Sequence, residues 1–135
     1  METHTIVPNV HSAACPTRQM LDLVANKWLV LVVSLLENGP MRFSELQRSI
    51  EGISQKMLTQ TLRDLERNGL VDRTVYASVP PRVEYALTPL GCTLCEPIAV
   101  IRVWADTHID QLQRAQHSYD ARSDDQRAVG AATAR

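Results

Sequence analysis

Residues 53–70, reading ISQKMLTQTLRDLERNGL, place Leu58, Leu62 and Leu65 at helical spacing. At about 100° per residue, Lys56, Thr59, Gln60, Arg63 and Arg67 project within one arc on the other side. Both ends are marked. Ser54 stands where a helix N-cap belongs, with Ile53 and Leu58 placed as a hydrophobic staple across it. Gly69 supplies the left-handed residue of a helix end, and Leu70 beyond it reaches Leu65 as a Schellman ending requires. The pattern predicts a short helix that packs by one face and leaves amide, hydroxyl and cationic groups on the other.

Upstream, Met20, Leu21, Val24, Trp28, Leu31, Val32 and Leu35 keep helical spacing with a weak point at Asn26 and Lys27, which predicts two abutting helices or one bent helix. Gly39 and Pro40 end that segment. Ser44 followed by Gln47 has capping-box form and predicts a short helix carrying Leu46 and Ile50. Glu51 and Gly52 then turn the chain into the two-faced helix. A short helix, a tight turn containing glycine and a second helix make a helix-turn-helix.

After Gly69 the period changes to two. Val71, Arg73 and Val75 share one side, Val83, Tyr85 and Leu87 share it on a returning strand, and Arg82 and Glu84 lie opposite. Residues 77–81 join the strands, and Pro80 and Pro81 stiffen the loop and block its pairing with other strands. Such a ribbon directly after a helix-turn-helix predicts a winged helix, with the ribbon either contacting a ligand or only bracing the domain. Thr88 and Pro89 open another helix, which Pro97 should kink or restart. Ile98, Ile101, Ala105 and Leu112, with Trp104 nearby, form a seam longer than a small domain needs. Either this is a dimerisation helix pairing with its copy, together with the first helix, or it packs within the chain. The fold class is thus mainly α (α+β): a winged helix-turn-helix with a two-stranded β-wing and a C-terminal dimerisation helix.

Composition adds limits. The 135 residues, 44% of them hydrophobic, suit one domain with a core. Residues 1–14 read as a flexible tail, 15–115 as the domain, and 116–135, rich in Ala, Ser, Asp, Gln and Arg, as a disordered tail. The longest apolar run, residues 28–36, is about half what a bilayer span needs, so no membrane partner is expected. No basic start precedes an apolar block, which makes the cytoplasm the expected location. The formal net charge of -1 runs against the basic balance common among nucleic-acid binders, so any DNA-binding cations must lie together on one surface.

Cys15, Cys92 and Cys95 are an odd set in a chain without an export signal, which disfavours a disulfide framework. Cys92 and Cys95 fall on one helix face, with Cys92 within about one turn of a helix N-terminus, where the dipole favours thiolate. They are a redox pair, or Cys95 packs in the core and Cys92 is incidental. No second ligand spacing supports zinc, and no cofactor loop or evident base accompanies the thiols, so neither an enzyme nor a cofactor is expected.

The chain resembles the HxlR-type family of bacterial winged-helix transcription regulators, related in shape to the MarR group. The resemblance runs through Cys15 and Pro16, Lys27 and Trp28, GPMRFSELQRSI at 39–50, GISQKMLTQTLRDLERNGLV at 52–71 and VPPRVEYALTPLG at 79–91. It covers roughly residues 15–104. It implies a homodimer on a double-stranded, palindromic DNA operator, most often as a repressor. Carried onto this chain, it assigns Gln55, Thr59 and Gln60 to base edges, with Ser54 opening the reading helix. Lys56, Arg63 and Arg67 go to phosphate or guanine, Arg42 and Ser44 to phosphate, and Arg82 to the wing contact. Cys15 stands where several family members place a sensor of oxidants or electrophiles, the other reading being a buried thiol that only packs; a small-molecule effector also fits the resemblance. The alternative function is a winged-helix protein-interaction module without DNA binding.

Overall fold

The computed structural model describes residues 9–133, in two compact units that part between Ile98 and Ala99. In the first, α1 (Pro16–Val24) and α2 (Lys27–Leu36) meet at 72°, which resolves the weak point in the pattern as a true break. Asn26 makes it: its side-chain oxygen accepts the Trp28 N–H at 2.9 Å and caps α2. Next come β1 (Met41–Arg42), α3 (Phe43–Ser49) and α4 (Gln55–Arg67). The ribbon is β2 (Val71–Tyr76) and β3 (Arg82–Leu87), followed by the single turn α5 (Pro89–Cys92) and α6 (Cys95–Thr133).

The core is one cluster. Leu29, Val32, Val33 and Leu36 of α2, Leu46 of α3, Leu58, Leu62 and Leu65 of α4, and Val71 of β2 are all nearly inaccessible to water. Each fully buried leucine contributes about 1.5–3 kcal/mol over an exposed one, so the leucine stripe of α4 is enough to fix which face the helix turns outward.

Both ends of α4 follow the sequence expectation. The Ser54 hydroxyl accepts the Met57 N–H at 3.0 Å, and Ile53 and Leu58 are both buried. At the other end Leu70 N–H donates to the Leu65 carbonyl at 2.9 Å and Gly69 N–H to that of Glu66 at 3.0 Å, a Schellman pair with Gly69 at φ 72°.

The expectation for α3 needs correcting. Its N-cap is Arg42, not Ser44, and Glu45 at 3.3 Å accepts the Arg42 backbone N–H; arginine has no acceptor with which to complete a capping box. The short strand β1 was also not foreseen. Met41 pairs with Tyr85 and Arg42 with Glu84, which makes the wing a three-stranded antiparallel sheet in the order β1-β3-β2. Two residues after a proline carry too little alternation to be read. Within the wing, Val71↔Leu87, Arg73↔Tyr85 and Val75↔Val83 share one face, as the alternation predicted.

Of the two outcomes expected at Pro97, a kink or a restart, the structure shows the restart. The helix opened by Pro89 stops at Cys92, and α6 starts at Cys95 with Pro97 in its first turn, where a missing N–H is harmless. Of the proposed tails, residues 1–8 lie outside the described residues. Residues 116–133 continue α6, where disorder was expected. The compositional argument weighed burial, and here an exposed helix runs on through Ala-, Gln- and Arg-rich sequence with no proline to stop it.

In the second unit, Ile101, Ala105, His108, Leu112, Ala115 and Tyr119 keep alternating four- and three-residue steps, the spacing of a coiled-coil seam. Ile101, Trp104 and Tyr119 are more than half exposed.

Two glycines matter for different reasons. A Cβ on Gly91 would run into the Leu70 carbonyl oxygen, which is backbone and cannot step aside, whereas Gly69 has open space and needs only its positive φ. Gly69→Ala should therefore cost about 1–2 kcal/mol and Gly91→Ala about 3 kcal/mol. Urea melts of the two variants check the order, and equal midpoints would contradict it.

Candidate nucleic-acid interface

Because Leu58, Thr61, Leu62 and Leu65 are buried, α4 turns Lys56, Gln60 and Arg63 to solvent, with Gln55 exposed at its first turn. Lys56 and Arg63 have no ion-pair partner, since the ion pairs of the described residues are Arg42–Glu45 and Arg82–Glu84. Their charge is available to an anion.

The other polar groups on this face are partly engaged. The Ser54 hydroxyl, as cap, has its hydrogen left to donate. Thr59 sits half-buried and donates its hydroxyl to the Gln55 carbonyl at 2.8 Å, leaving only its lone pairs and methyl for a base. Gln60 Nε2 donates to Asp64 Oδ1 at 3.0 Å. Asp64 was not singled out from the sequence, although its i,i+4 spacing from Gln60 is the signal that would have found it.

A second group forms between the start of α3 and the wing. Arg42, Ser44, Ser78 and Arg82 line a cavity of about 590 Å³ with Phe43 and residues 79–81 and 83. Here the pairing of β1 with β3 brings Arg42 beside the wing. The Arg82 guanidinium lies 4.5 Å from the Tyr76 ring centroid, and its Nε is 3.4 Å from Glu84 Oε1 without hydrogen-bond geometry. The Arg82 Nε is thus an unspent donor held in place by an aromatic face. Arg42 is 3.9 Å from Glu45 across two half-exposed side chains, a contact worth little and easily exchanged for another anion. Tyr76 and Ser78 were also missed from the sequence; residues flanking a hairpin tip carry no periodic signal.

Arg67 stands apart. It is exposed in the last turn of α4 and lines a different cavity, of about 620 Å³, with Asp22, Asn26 and Asp64 among its other walls. The structure thus gathers Ser54, Gln55, Lys56, Thr59, Gln60 and Arg63 on one helix, Arg42, Ser44 and Arg82 on one cleft, and leaves Arg67 at the edge.

The three thiols are free. Cys15 caps α1 by position and is buried. The Lys27 ammonium lies 4.5 Å over the Trp28 ring. Cys92 is exposed and closes the single turn α5 while Cys95 opens α6, so the two thiols stand on separate helices and not on one helix face as expected. Cys95 packs partly against the core, and burial first, then the charges of Glu37 and Cys92, push its thiol up. Among the described residues no group of three or more His, Cys, Asp or Glu side chains could hold a metal, and no single helix is long and apolar enough to cross a membrane.

The HxlR-like helix-turn-helix family matches residues 23–113, a stretch that holds α2 through α5 and the first half of α6. The chain belongs to that family. This HxlR-like protein is 41% identical over 104 residues to the HTH-type transcriptional regulator YtfH of Escherichia coli, covering 77% of this chain and 82% of the relative. The solved YtfH regulator of Salmonella typhimurium superposes with a TM-score of 0.76 at 38% identity, over 82% of this chain and 98% of that one. The redox regulator HypR in its reduced form superposes with a TM-score of 0.68 at 39% identity, over 73% of this chain and 97% of its own. The HxlR-like chain is thus a winged helix-turn-helix transcriptional regulator.

Raising a thiol's pKa keeps it protonated to higher pH, and only thiolate is alkylated. At pH 8 iodoacetamide should therefore label exposed Cys92 well before Cys95, and Cys95 labelling should keep rising above the usual cysteine range. Peptide mass spectrometry across a pH series checks this; faster labelling of Cys95 would refute it.

Proposed function

We propose that this regulator acts as a homodimer, most simply as a repressor, on a palindromic operator, and that an oxidant or electrophile at Cys15 switches it. One observation carries the reading of DNA: α4 leaves Lys56, Gln60 and Arg63 open to solvent, while the cleft between the start of α3 and the wing holds Arg42, Ser44 and Arg82. A helix of this size fits the major groove, where amides meet base edges and cations meet phosphate or guanine. In this reading Gln55, Thr59 and Gln60 face bases, Thr59 through its lone pairs and methyl. Lys56 and Arg63, with Arg67 at the edge, hold phosphate or guanine. Ser54, Arg42 and Ser44 take phosphates, and Arg82 anchors the wing.

The exposed apolar side chains support pairing of two copies. Met20 and Leu21 on α1, and Val100, Ile101, Val103 and Trp104 on α6, all lie open to water in the single chain. A twofold dimer presents two α4 helices, which suits half-sites about 34–36 Å apart or a multiple of that. For the switch, support comes from the redox regulator HypR among the structural neighbours and from Cys15 at the head of α1. A small-molecule effector is the other form such a switch takes.

The net charge of -1 favours a rival reading, a winged-helix interaction module that does not bind DNA. Titration of labelled promoter DNA against random DNA at two salt concentrations separates the two. Lys56→Ala and Arg82→Ala should each weaken binding to all sequences and reduce the slope of log K against log salt by about 1. Equal affinity of the native protein for promoter and random DNA would overturn sequence-specific reading.

Sedimentation of the native protein should give a dimer, and Ile101→Glu with Trp104→Glu a folded monomer of much lower operator affinity. Diamide should lower operator affinity of the native protein and spare Cys15→Ser. A native protein whose operator binding ignores diamide has no thiol switch.

A further inference from the structure

We propose that Asp64 is a specificity-determining residue, which orients the Gln60 amide for base reading without itself touching DNA; this rests on the reading of Gln60 given above. The observation is the 3.0 Å hydrogen bond from Gln60 Nε2 to Asp64 Oδ1, one helical turn apart on α4. A carboxylate only accepts, so the amide must face it with its NH₂ group. The amide oxygen is then turned away. This settles an orientation that glutamine alone leaves open, because a free amide rotates by half a turn at little cost.

The consequence is chemical. With one N–H spent on Asp64, the Gln60 side chain still offers one N–H and one carbonyl oxygen. That donor and acceptor pair suits the N7 acceptor and N6 donor of adenine in the major groove. Guanine presents two acceptors there, and meeting both with the NH₂ group requires breaking the bond to Asp64. Asp64 thus penalises guanine at the base pair facing Gln60. Burial supports the division of labour: Asp64 is half-buried beside the α1–α2 elbow, whereas Gln60 is exposed. The sequence shows the same logic in its charges, since a carboxylate on a DNA-facing helix repels phosphate and has no use in affinity.

The test compares variants on operators carrying each base pair at every position of a half-site. Asp64→Ala should lower the preference for adenine over guanine at one position by about three- to tenfold, while overall affinity holds or rises as a negative charge is lost. Glu66→Ala removes a charge from the same helix without touching Gln60, and should shift affinity with no change in ranking. Gln60→Ala should lose the preference at that same position. If Gln60→Ala alters the ranking and Asp64→Ala leaves it intact, the orienting role is overturned and Gln60 reads its base unaided. If Gln60→Ala changes no ranking, the base-reading role of Gln60 fails first. Thermal melts of all three variants show whether each is folded when measured.

Discussion

The wing and α4 are tied together at one junction of four residues. Thr88 donates its hydroxyl to the Gly69 carbonyl at 2.6 Å, accepts the Gly91 N–H at 3.0 Å, and sends its own N–H to the Leu70 carbonyl at 3.1 Å. Gly91 lies against that Leu70 carbonyl so closely that no side chain fits. The end of α4, the end of the wing and the turn α5 therefore meet at this one cluster of bonds. Since Leu70 and Val71 are buried in the core, the junction also fixes where β2 departs. The angle between helix and wing, which any double-helical ligand must match, follows from these bonds more than from the exposed residues at either tip.

Net charge bears on the proposed DNA contact only through where the charges stand. A balance of -1 says how many charges the chain carries, whereas binding depends on where they stand. Of the arginines and lysines near α4, those at 56 and 63 have no acidic partner, and the two in the wing cleft face single carboxylates across imperfect contacts. Weak pairs of this kind hold a guanidinium in place and release it to a stronger anion. On α4 itself, the Asp64 carboxylate is spent on a neighbouring amide.

How much of this was legible depended on whether a residue's role is set by its neighbours in sequence. The caps of α4, the face that Leu58, Leu62 and Leu65 bury, and the register of the hairpin follow from local spacing, and all were readable. The strand β1 was not, because it exists only by pairing with β3 across forty residues of chain. The same long-range pairing puts Arg42 beside Arg82, a grouping that sequence order hides. The cap of α3 was misplaced by two residues because Ser44 is the better capping type, yet the β1 pairing fixes Arg42 as the last extended residue. For Thr59 and Gln60 the residue types were visible, but not that each already makes a bond along its own helix. Cys92 was misjudged for a different reason: a helix start was evident, and its end one turn later was not.

The placement of Cys15 bears on how a buried thiol could serve as a sensor. Oxidants need access, and Cys15 is 7% exposed. Yet the helix it heads buries none of its own residues, while its successor α2 buries four. Opening α1 therefore exposes little apolar surface and breaks few contacts, which places it at the low end of local stability. Cys95 has the opposite setting, seated against the core at the start of a long helix with a neighbouring carboxylate that disfavours its thiolate. Exposure by fluctuation matters more here than exposure at rest. The switch proposed at Cys15 would thus act at the edge of the fold, on the helix that carries the exposed Met20 and Leu21.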